Sequence, residues 1–495
     1  MPKVTSFINL KGQFVALFLA LFFFAGCLTL DVPEKPSSMW KPPQWYIQSQ
    51  KPETILSAAK GTKPSTDQPM KLIELIDLGL RNNPSTRQAW QTALVAQAQL
   101  GSAKSAWYPT VKLDQNFDYT RNIANYEVNK LGQGDIGLNM QMTYLLFDFG
   151  GRSAKVEQAF QMLLASNFQF NQTIQDLLLQ IATAYFNFYS ATALHEATDM
   201  DVKDAKGTLD ATQQKFEAGT QAKLDVLEAN SNYQKALYQL ESAFGDVKTA
   251  EGELAKALGF PAGTPLNIMS PQKDVEFKVG EKTVSQLIEE GLDKRPDIAV
   301  ERASLAAKIA AIKAAKSDLW PTLNAKGNGA NDWYRNFGLS GGLPPGSEHN
   351  YGYTAGVSVD WPLFEGFDTV SKIKAAEADA KAEFEQLRQK EIGATADIWE
   401  KYYNFVTATR KLDFSKAYVE SSQGSYNLAL EGYKSGLKNI IDLLHAEADL
   451  SDARSQLITS RRDLYLAFAQ LVHATGTINE RTDAARAQPG GTVHL

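Results

Sequence analysis

The amino-acid sequence contains one long segment twice. LIELIDLGLRNNPSTRQAW at residues 72 to 90 returns as VSQLIEEGLDKRPDIAVER at 284 to 302, and AKSAWYPTVKL at 103 to 113 returns as AKSDLWPTLNA at 315 to 325. Further on, FEAGTQAKLDVLEA at 216 to 229 is answered by YKSGLKNIIDLLHA at 433 to 446. A period of about two hundred residues indicates two copies of one structural unit. We therefore predict an internal two-fold repeat, with repeat 1 at 71–258, an equatorial connector at 259–283 and repeat 2 at 284–475.

The overall composition excludes several classes of protein. The formal net charge is −6 with 21% charged residues and no basic stripe, so no nucleic-acid partner is predicted. A mean hydropathy of −0.29 excludes a bundle of membrane-spanning helices. The five histidines are scattered without metal-ligand spacing, and no P-loop motif occurs. The sequence therefore predicts neither an enzyme nor a bound cofactor or metal.

The first residues have the pattern of a secretory signal peptide. Lys3 and Lys11 precede an apolar run at 14 to 25, and small residues stand before Cys27, so residues 1–26 are predicted to be the cleaved signal. The run FFFAGC resembles a bacterial lipobox, which implies lipidation of Cys27, the only cysteine in the chain. Leu28 in the next position is similar to an outer-membrane address in lipoproteins. The alternative is an ordinary signal peptide with an incidental thiol.

Two segments of weak pattern flank the repeats. Residues 31 to 70 contain seven prolines and many polar residues, which indicates extended chain rather than core. We therefore predict a lipid-anchored, proline-rich tether at 27–70. The last residues, 476–495, also lack hydrophobic periodicity and are predicted to form a flexible C-terminal tail.

The repeats have the features of very long helices. Proline is absent from 110 to 260 and from 363 to 488, and apolar residues recur at helical spacing. Leucines at 450, 457, 464 and 471 follow the seven-residue period of a coiled coil. These patterns predict a helical hairpin at 151–258 that turns at Gly219, a second hairpin at 367–475, and one continuous helix from 285 to 319 before the second strand pair. The first helix of each hairpin is about 100 Å long at 1.5 Å per residue.

Each repeat also contains two stretches with the two-residue period of a β-strand. Apolar and polar residues alternate from 111 to 119, from 136 to 144 and from 353 to 361, and more weakly from 323 to 333. Aromatic residues cluster at the ends of these stretches. Strands of this length with aromatic ends and one polar face are typical of a transmembrane barrel, and we place two strands near 110–147 and two near 322–363. The alternative is a soluble sheet that lies on a helix.

Four strands cannot close a barrel in a membrane, because the smallest bacterial barrels have about eight strands and lipid does not tolerate an open sheet edge. Three copies together supply twelve strands. The sequence therefore predicts an α+β membrane protein, in which a trimeric 12-stranded transmembrane β-barrel, with four strands per protomer, continues as a long periplasmic α-helical barrel of coiled-coil hairpins.

Several paired motifs, in order and in duplicate, resemble the TolC family of outer-membrane efflux proteins. They are the paired NP and RP openings, the YPT and WPT segments before a strand, the FDFGG and FEGFD segments before the long helix, and the FxxG…LDVL and YxxG…IDLL tips. The resemblance covers residues 70 to 476. It implies an outer-membrane homotrimer that contacts lipid and is joined, through a periplasmic adaptor protein, to an inner-membrane pump of an efflux or type I secretion system.

The same resemblance implies a gate at the periplasmic helix tips. Matched position by position, Tyr433 and Lys438 supply hydrogen bonds and ion pairs that hold the closed state, with Asp225 as the acceptor. Asp442 forms a carboxylate ring around the constriction. Members of the family often carry a second acidic ring three residues later, where this chain has His445. This departure argues against strong block by cations, and a ring of His445 side chains would make the aperture pH-sensitive.

The turn glycines of the two tips, Gly219 and Gly436, are predicted to permit tight turns where the adaptor docks. A second function class remains open, in which the chain is a non-conducting periplasmic coiled-coil lipoprotein that acts as an adaptor or scaffold. Within the first class, the sequence does not separate drug, metal and protein cargo, because the pump selects what is exported.

Overall fold

The computed structural model describes residues 69–123, 130–269, 282–337 and 347–478 of the 495-residue chain. The predicted signal peptide, Cys27 and nearly all of the predicted tether lie outside these residues, as does the chain beyond 478. Within the described residues, two short helices, two strands and a helical hairpin follow one another twice.

The first set consists of helices α1 (Leu72–Asn82) and α2 (Pro84–Lys104), strands β1 (Thr110–Ile123) and β2 (Lys130–Phe147), and the hairpin helices α3 (Gly151–Glu217) and α4 (Lys223–Ala257). The second set consists of α5 (Val284–Lys294), α6 (Pro296–Ser317), β3 (Thr322–Phe337), β4 (Ser347–Asp360), α7 (Asp368–Lys434) and α8 (Ile440–Ala474). Helices α3 and α7 have 67 residues each, which corresponds to a length of about 100 Å.

The prediction of one continuous helix from 285 to 319 was wrong. The helix breaks at Arg295, whose backbone is extended with ψ at 123°, and α6 begins at Pro296. A proline disfavours helical backbone in the residue before it, and Asn83 before Pro84 shows the same break in the first set. Each break divides the helical segment before the strands into two short helices.

The hydrophobic core follows the predicted helical stripes. Ile181 of α3 and Ile398 of α7 are fully buried, each in the core of its own set. Opposite each isoleucine lies a glycine of a short helix. A Cβ atom on Gly79 would lie 2.4 Å from Ile181 Cδ1, and one on Gly291 would lie 2.4 Å from Ile398 Cδ1. Only glycine allows the helices to approach this closely without a shift of the isoleucine.

Helix α6 joins the two halves, because it packs against both α3 and α7. Its charged face pairs with α7 in antiparallel order: Lys316 with Glu377 at 2.9 Å, Arg302 with Glu391 at 3.3 Å, and Arg295 with Asp397 at 2.8 Å. Helix α8 of the second hairpin packs against α3 of the first. The two hairpins are therefore held together along one side within a single protomer.

The four strands form one antiparallel sheet in the order β1-β2-β3-β4. The register places the apolar residues of neighbouring strands on one face, since Phe117 pairs with Ile136 and Ile136 pairs with Trp333. This face is open to solvent in the single chain, where Phe117 is 69% and Tyr353 is 89% exposed. Strand β4 ends at Asp360, so Trp361, which the sequence placed in the strand, lies just beyond it. The edges of β1 and β4 have no partner strand among the described residues.

Arg152 connects the sheet to the first long helix. It is 5% exposed, and its guanidinium donates to the carbonyl oxygens of Leu145 at 2.5 Å and Leu146 at 3.0 Å. The same group lies 4.3 Å from the centre of the Trp107 ring. The direction of α3 relative to the sheet is thereby fixed by a buried cation at its first turn.

The ends of the described chain are tied to the core. Met70 is buried and forms a parallel bridge with Ile268, and its amide donates to the carbonyl of Asn267 at 2.9 Å. Residues 476 to 478, which were assigned to a flexible tail, are packed: Gly476 accepts a hydrogen bond from Gln175, and Thr477 is 2% exposed. The tail assignment was therefore wrong for these residues.

None of the described helices is both long and apolar enough to pass through a lipid bilayer.

Candidate functional site

Both helical hairpins end in a turn built on a glycine with positive φ. Gly219 has φ of 74° and Gly436 has φ of 80°, a region in which only glycine is unstrained. After each glycine the chain closes back onto the helix: the amide of Thr220 donates to the carbonyl of Lys215 at 2.9 Å, and that of Leu437 donates to Gly432 at 2.8 Å. The predicted turns are confirmed. The docking of a partner at these tips stays a prediction.

The second tip carries the predicted ring residues at the start of α8. Asn439 caps the helix, because its side-chain oxygen accepts from the amide of Asp442 at 2.8 Å. The ammonium of Lys438 lies 3.7 Å from the carboxylate of Asp442, and both side chains are about half exposed. An exposed pair of this kind contributes at most about 1 kcal/mol. His445 is exposed one turn further along, on the same side of the helix as Asp442.

Tyr433 is buried at the base of this tip, but Asp225 is not its acceptor within the protomer. The Tyr433 hydroxyl donates to Thr212 Oγ1 of α3 at 2.9 Å, whereas Asp225 accepts from Gln221 at 2.6 Å. Lys215 donates to the Tyr433 carbonyl and lies 4.2 Å from the centre of its ring. Burial raises the pKa of Tyr433, which keeps its hydroxyl a donor. Tyr433 is therefore linked to the first hairpin twice, by a neutral hydrogen bond from its hydroxyl to Thr212 and by the Lys215 ammonium at its carbonyl.

Above the tip, Glu447 of α8 contacts both helices of the first hairpin. Its carboxyl oxygens accept from Thr208 of α3 at 2.9 Å and from Asn232 of α4 at 2.8 Å. The side chain is almost completely buried. Burial raises the pKa of Glu447 from 4.5 to about 7, and the nearby carboxylates of Asp204 and Asp201 also raise it. The hydrogen bonds from Thr208 and Asn232 act in the opposite direction and lower the pKa.

One and two turns further along α8, Ser451 and Arg454 both contact Asp201 of α3. The Ser451 hydroxyl donates to Asp201 at 2.6 Å, and the Arg454 guanidinium lies 2.7 Å from Asp201 and 3.0 Å from Asp204. Burial by itself would lower the pKa of Arg454, but its hydrogen bonds to the two carboxylates outweigh this and raise it. This ion pair is mostly shielded from water.

These contacts form what we call the inter-hairpin cluster, made of Asp201, Asp204, Thr208, Thr212, Asn232, Tyr433, Glu447, Ser451 and Arg454. Tyr433 is the one member that was predicted from the sequence. A signal was present, because Ile440, Glu447, Arg454, Arg461 and Phe468 occupy successive positions of one heptad row. A coiled coil normally keeps such a row apolar, and polar residues in it specify the partner helix and its register.

Comparison with known proteins identifies the family of the chain. A family model described as outer membrane efflux protein matches residues 75–260 and 287–477, which together exceed half of the chain. The protein CyaE of Bordetella pertussis is 25% identical over 417 residues, or 83% of this chain and 85% of CyaE. The outer membrane protein TolC of Escherichia coli is 24% identical over 427 residues, or 84% of each chain.

Solved channels share the fold. The Campylobacter jejuni CmeC outer membrane channel superimposes with a TM-score of 0.70 at 18% identity, covering 84% of this chain and 88% of the channel. The outer membrane protein VceC of Vibrio cholerae gives a TM-score of 0.69 at 19% identity, covering 82% of this chain and 96% of VceC.

Proposed function

The chain belongs to the outer membrane efflux protein family, and from this premise we propose that three copies form a passive exit duct from the periplasm to the exterior. TolC, VceC and CmeC, matched above, are outer-membrane proteins or channels rather than enzymes, which argues against a catalytic role. In the proposed assembly the protein is the outer-membrane part of a tripartite efflux or type I secretion system.

The observation that carries this proposal is the incompleteness of the sheet. Its apolar face is exposed, its polar face lies opposite, and its edge strands β1 and β4 have no partner among the described residues. Pairing of β4 with β1 of the next copy would satisfy both edges, and three copies would give twelve strands around a polar lumen. The long hairpins below the sheet then continue the wall as a helical tunnel.

We place the gate of this duct at the tips. In a trimer, the half-exposed Asp442 of each copy would form a ring of three carboxylates, with a ring of His445 side chains one turn away. Lys438 lies beside Asp442 and is in a position to pair with the neighbouring copy when the tips close. The inter-hairpin cluster holds the second hairpin against the first within each protomer, and this supports a closed state in which both hairpins are packed.

The first experiment tests the duct itself. Protein extracted in detergent is expected to run as a trimer that dissociates on heating, and to conduct ions when inserted in a planar bilayer. Conductance that is absent in a verified trimer would instead support the alternative, a coiled-coil lipoprotein scaffold. A monomer that remains soluble without detergent would contradict the barrel.

A second experiment tests the ring. Asp442→Asn is expected to weaken block of the bilayer current by a multivalent cation added on the tip side, because the three negative charges that attract it are gone. The matched control is Asp452→Asn on the same helix, since Asp452 is exposed and faces about a quarter turn away from Asp442. If the cation blocks the current equally in both variants, Asp442 does not line the pore.

The remaining parts of the proposal concern partners and the membrane anchor. We propose that adaptor hairpins dock at the turns of Gly219 and Gly436 and that Cys27 is lipidated. Mass spectrometry of the N-terminal peptide in the wild type and in Cys27→Ser tests the anchor. Co-purification with the adaptor and pump from the native membrane tests the partners, and a substitution of Leu437, 84% exposed at the second tip, is expected to reduce it.

A further inference from the structure

Glu447 lies in an unusual environment for a charged side chain. It belongs to the second hairpin, yet each of its oxygens is held by one neutral donor of the first hairpin, the Thr208 hydroxyl on α3 and the Asn232 amide on α4. No cation of the described chain forms an ion pair with it. The side chain is 7% exposed, about 8 Å along the helix from the predicted Asp442 ring.

The groups around Glu447 favour a neutral carboxyl. Helix α3 contributes the carboxylates of Asp201 and Asp204, α4 contributes only the neutral Asn232, and α7 contributes the hydroxyl of Tyr426. On α8 itself the nearest cation is Arg454, whose guanidinium is bound to the two aspartates and to Gln423 of α7. Two neutral hydrogen bonds do not replace the hydration that a buried carboxylate loses.

We propose that Glu447 is a proton-operated tie between the two hairpins. With its proton bound, the carboxyl holds α8 against α3 and α4. When the proton leaves, the buried charge favours separation of the second hairpin from the first and exposure of Glu447 to water. This inference rests on the proposed gate, because separation of the hairpins near the tips is the movement that opens the duct.

The direction of the pH effect follows from the two states of Glu447. The pKa is about 7 when the hairpins are packed and close to 4.5 when the side chain is exposed to water. Between these values the packed state holds a proton that the separated state has released, so packing becomes less favourable as pH rises from 4.5 to 7. Above 7 no further change is expected. The two pKa values limit the effect to about 300-fold for each protomer.

His445 is a second titratable side chain near the tips. Glu447 favours the packed state at lower pH. The experiment is therefore run in a His445→Asn background as well as in the wild type, so that the pH dependence that remains can be assigned to Glu447.

The direct test is infrared difference spectroscopy of the detergent-solubilised trimer during a pH titration. The wild type is expected to lose a protonated-carboxyl band with a midpoint near 7, a band that is absent in Glu447→Gln and retained in the control Glu241→Gln on the exposed face of α4. Thr208→Val, which removes a donor that stabilises the carboxylate, should move the midpoint upward. A midpoint near 4.5 overturns the proposal.

Bilayer conductance then tests the coupling to the gate. In the His445→Asn background, open probability should rise from pH 5 to pH 7.5, whereas with Glu447→Gln it should stay low at every pH. Glutamine cannot ionise, its amide oxygen can accept from Asn232, and its amide nitrogen can donate to the Thr208 hydroxyl oxygen. If Glu447→Gln leaves the pH profile of the open probability unchanged, the coupling of Glu447 to the gate is overturned, even when the infrared midpoint lies near 7. A wild-type trimer that never conducts contradicts the proposed duct, while the infrared midpoint still decides the protonation of Glu447.

Discussion

Replacing Arg454 by methionine is expected to loosen the second hairpin from the first. The guanidinium is 15% exposed and binds Asp201, whose side chain is 11% exposed, at 2.7 Å. Methionine keeps most of the length and apolar contact of arginine but removes the charge. Asp201 is then left as a buried carboxylate with the Ser451 hydroxyl as its remaining partner from α8.

The size of the effect follows from the burial of this pair. Removing one partner of a buried ion pair costs about 3 to 5 kcal/mol, because the other charge loses its compensation. Asp204, the second acceptor, is 27% exposed and partly recovers contact with water, so the lower end of the range applies. A loss of about 3 kcal/mol corresponds to a shift of about 150-fold between packed and separated hairpins in each protomer.

Two measurements check this prediction. The temperature at which the helical circular-dichroism signal is lost should fall in Arg454→Met, and the open probability in bilayers should rise. The control is Arg462→Met on the same helix, where the pair with Asp463 at 2.7 Å is 34% and 42% exposed and contributes at most about 1 kcal/mol.

A double-mutant cycle separates the charge effect from a packing effect. Asp201→Asn combined with Arg454→Met removes both charges and should recover a large part of the lost stability, because no buried carboxylate remains uncompensated at Asp201. If Arg454→Met behaves like the Arg462 control, or if the double variant is no more stable than the single one, the reasoning about this ion pair is refuted.

Further predictions concern the core and the tip. Phe405→Ala should destabilise the protein by about 3 to 5 kcal/mol, since Phe405 is fully buried, whereas Phe414→Ala on the same helix should have little effect because it is 74% exposed; equal melting temperatures would contradict the assigned core. Gly291→Ala should cost up to about 2 kcal/mol, because the clash with Ile398 Cδ1 exceeds the gain of about 1 kcal/mol that alanine has over glycine in a helix, and a smaller side chain at Ile398 should relieve the clash. Tyr433→Phe should cost about 1 kcal/mol per protomer by loss of its hydrogen bond to the first hairpin and raise the open probability less than Arg454→Met does.

Much of the fold could be predicted from the sequence because its signals are local. Long proline-free stretches, glycines at the turns and the change from helical to two-residue periodicity determine where elements begin and end. Helix α3 begins at Gly151, where the sequence placed the start of the first hairpin, and ends at Glu217, two residues before the predicted turn at Gly219. The break at Arg295 was missed although its cause, Pro296, is also local, because the surrounding apolar pattern continues through it.

The inter-hairpin cluster could not be predicted in the same way. Thr208 and Glu447 are 239 positions apart, and Arg454 and Asp201 are 253 apart. Which residues meet depends on the relative register of α3, α4 and α8, and a shift of one helical turn would give each of them a different partner. The heptad row indicated that Glu447 and Arg454 were unusual core residues, but not which residues they contact.

The two repeats have the same pattern of apolar core residues, but they differ in the polar groups that hold the hairpins. In the second copy, Glu447 and Arg454 lie 11 and 18 residues after the turn glycine Gly436. In the first copy, the residues at these distances after Gly219 are Asn230 and Leu237. At the other end, Arg152 binds the first long helix to the sheet, whereas the aligned residue of the second copy is Thr369, which only contacts an exposed glutamate of its own turn. The first hairpin is thus fixed at the sheet by a buried cation and receives the second hairpin at the tips through Asp201, Thr208 and Asn232. If the proposed gate opens at the tips, we therefore expect the second hairpin to move against the first, and we expect its closure to depend on the positions at which the repeats diverge.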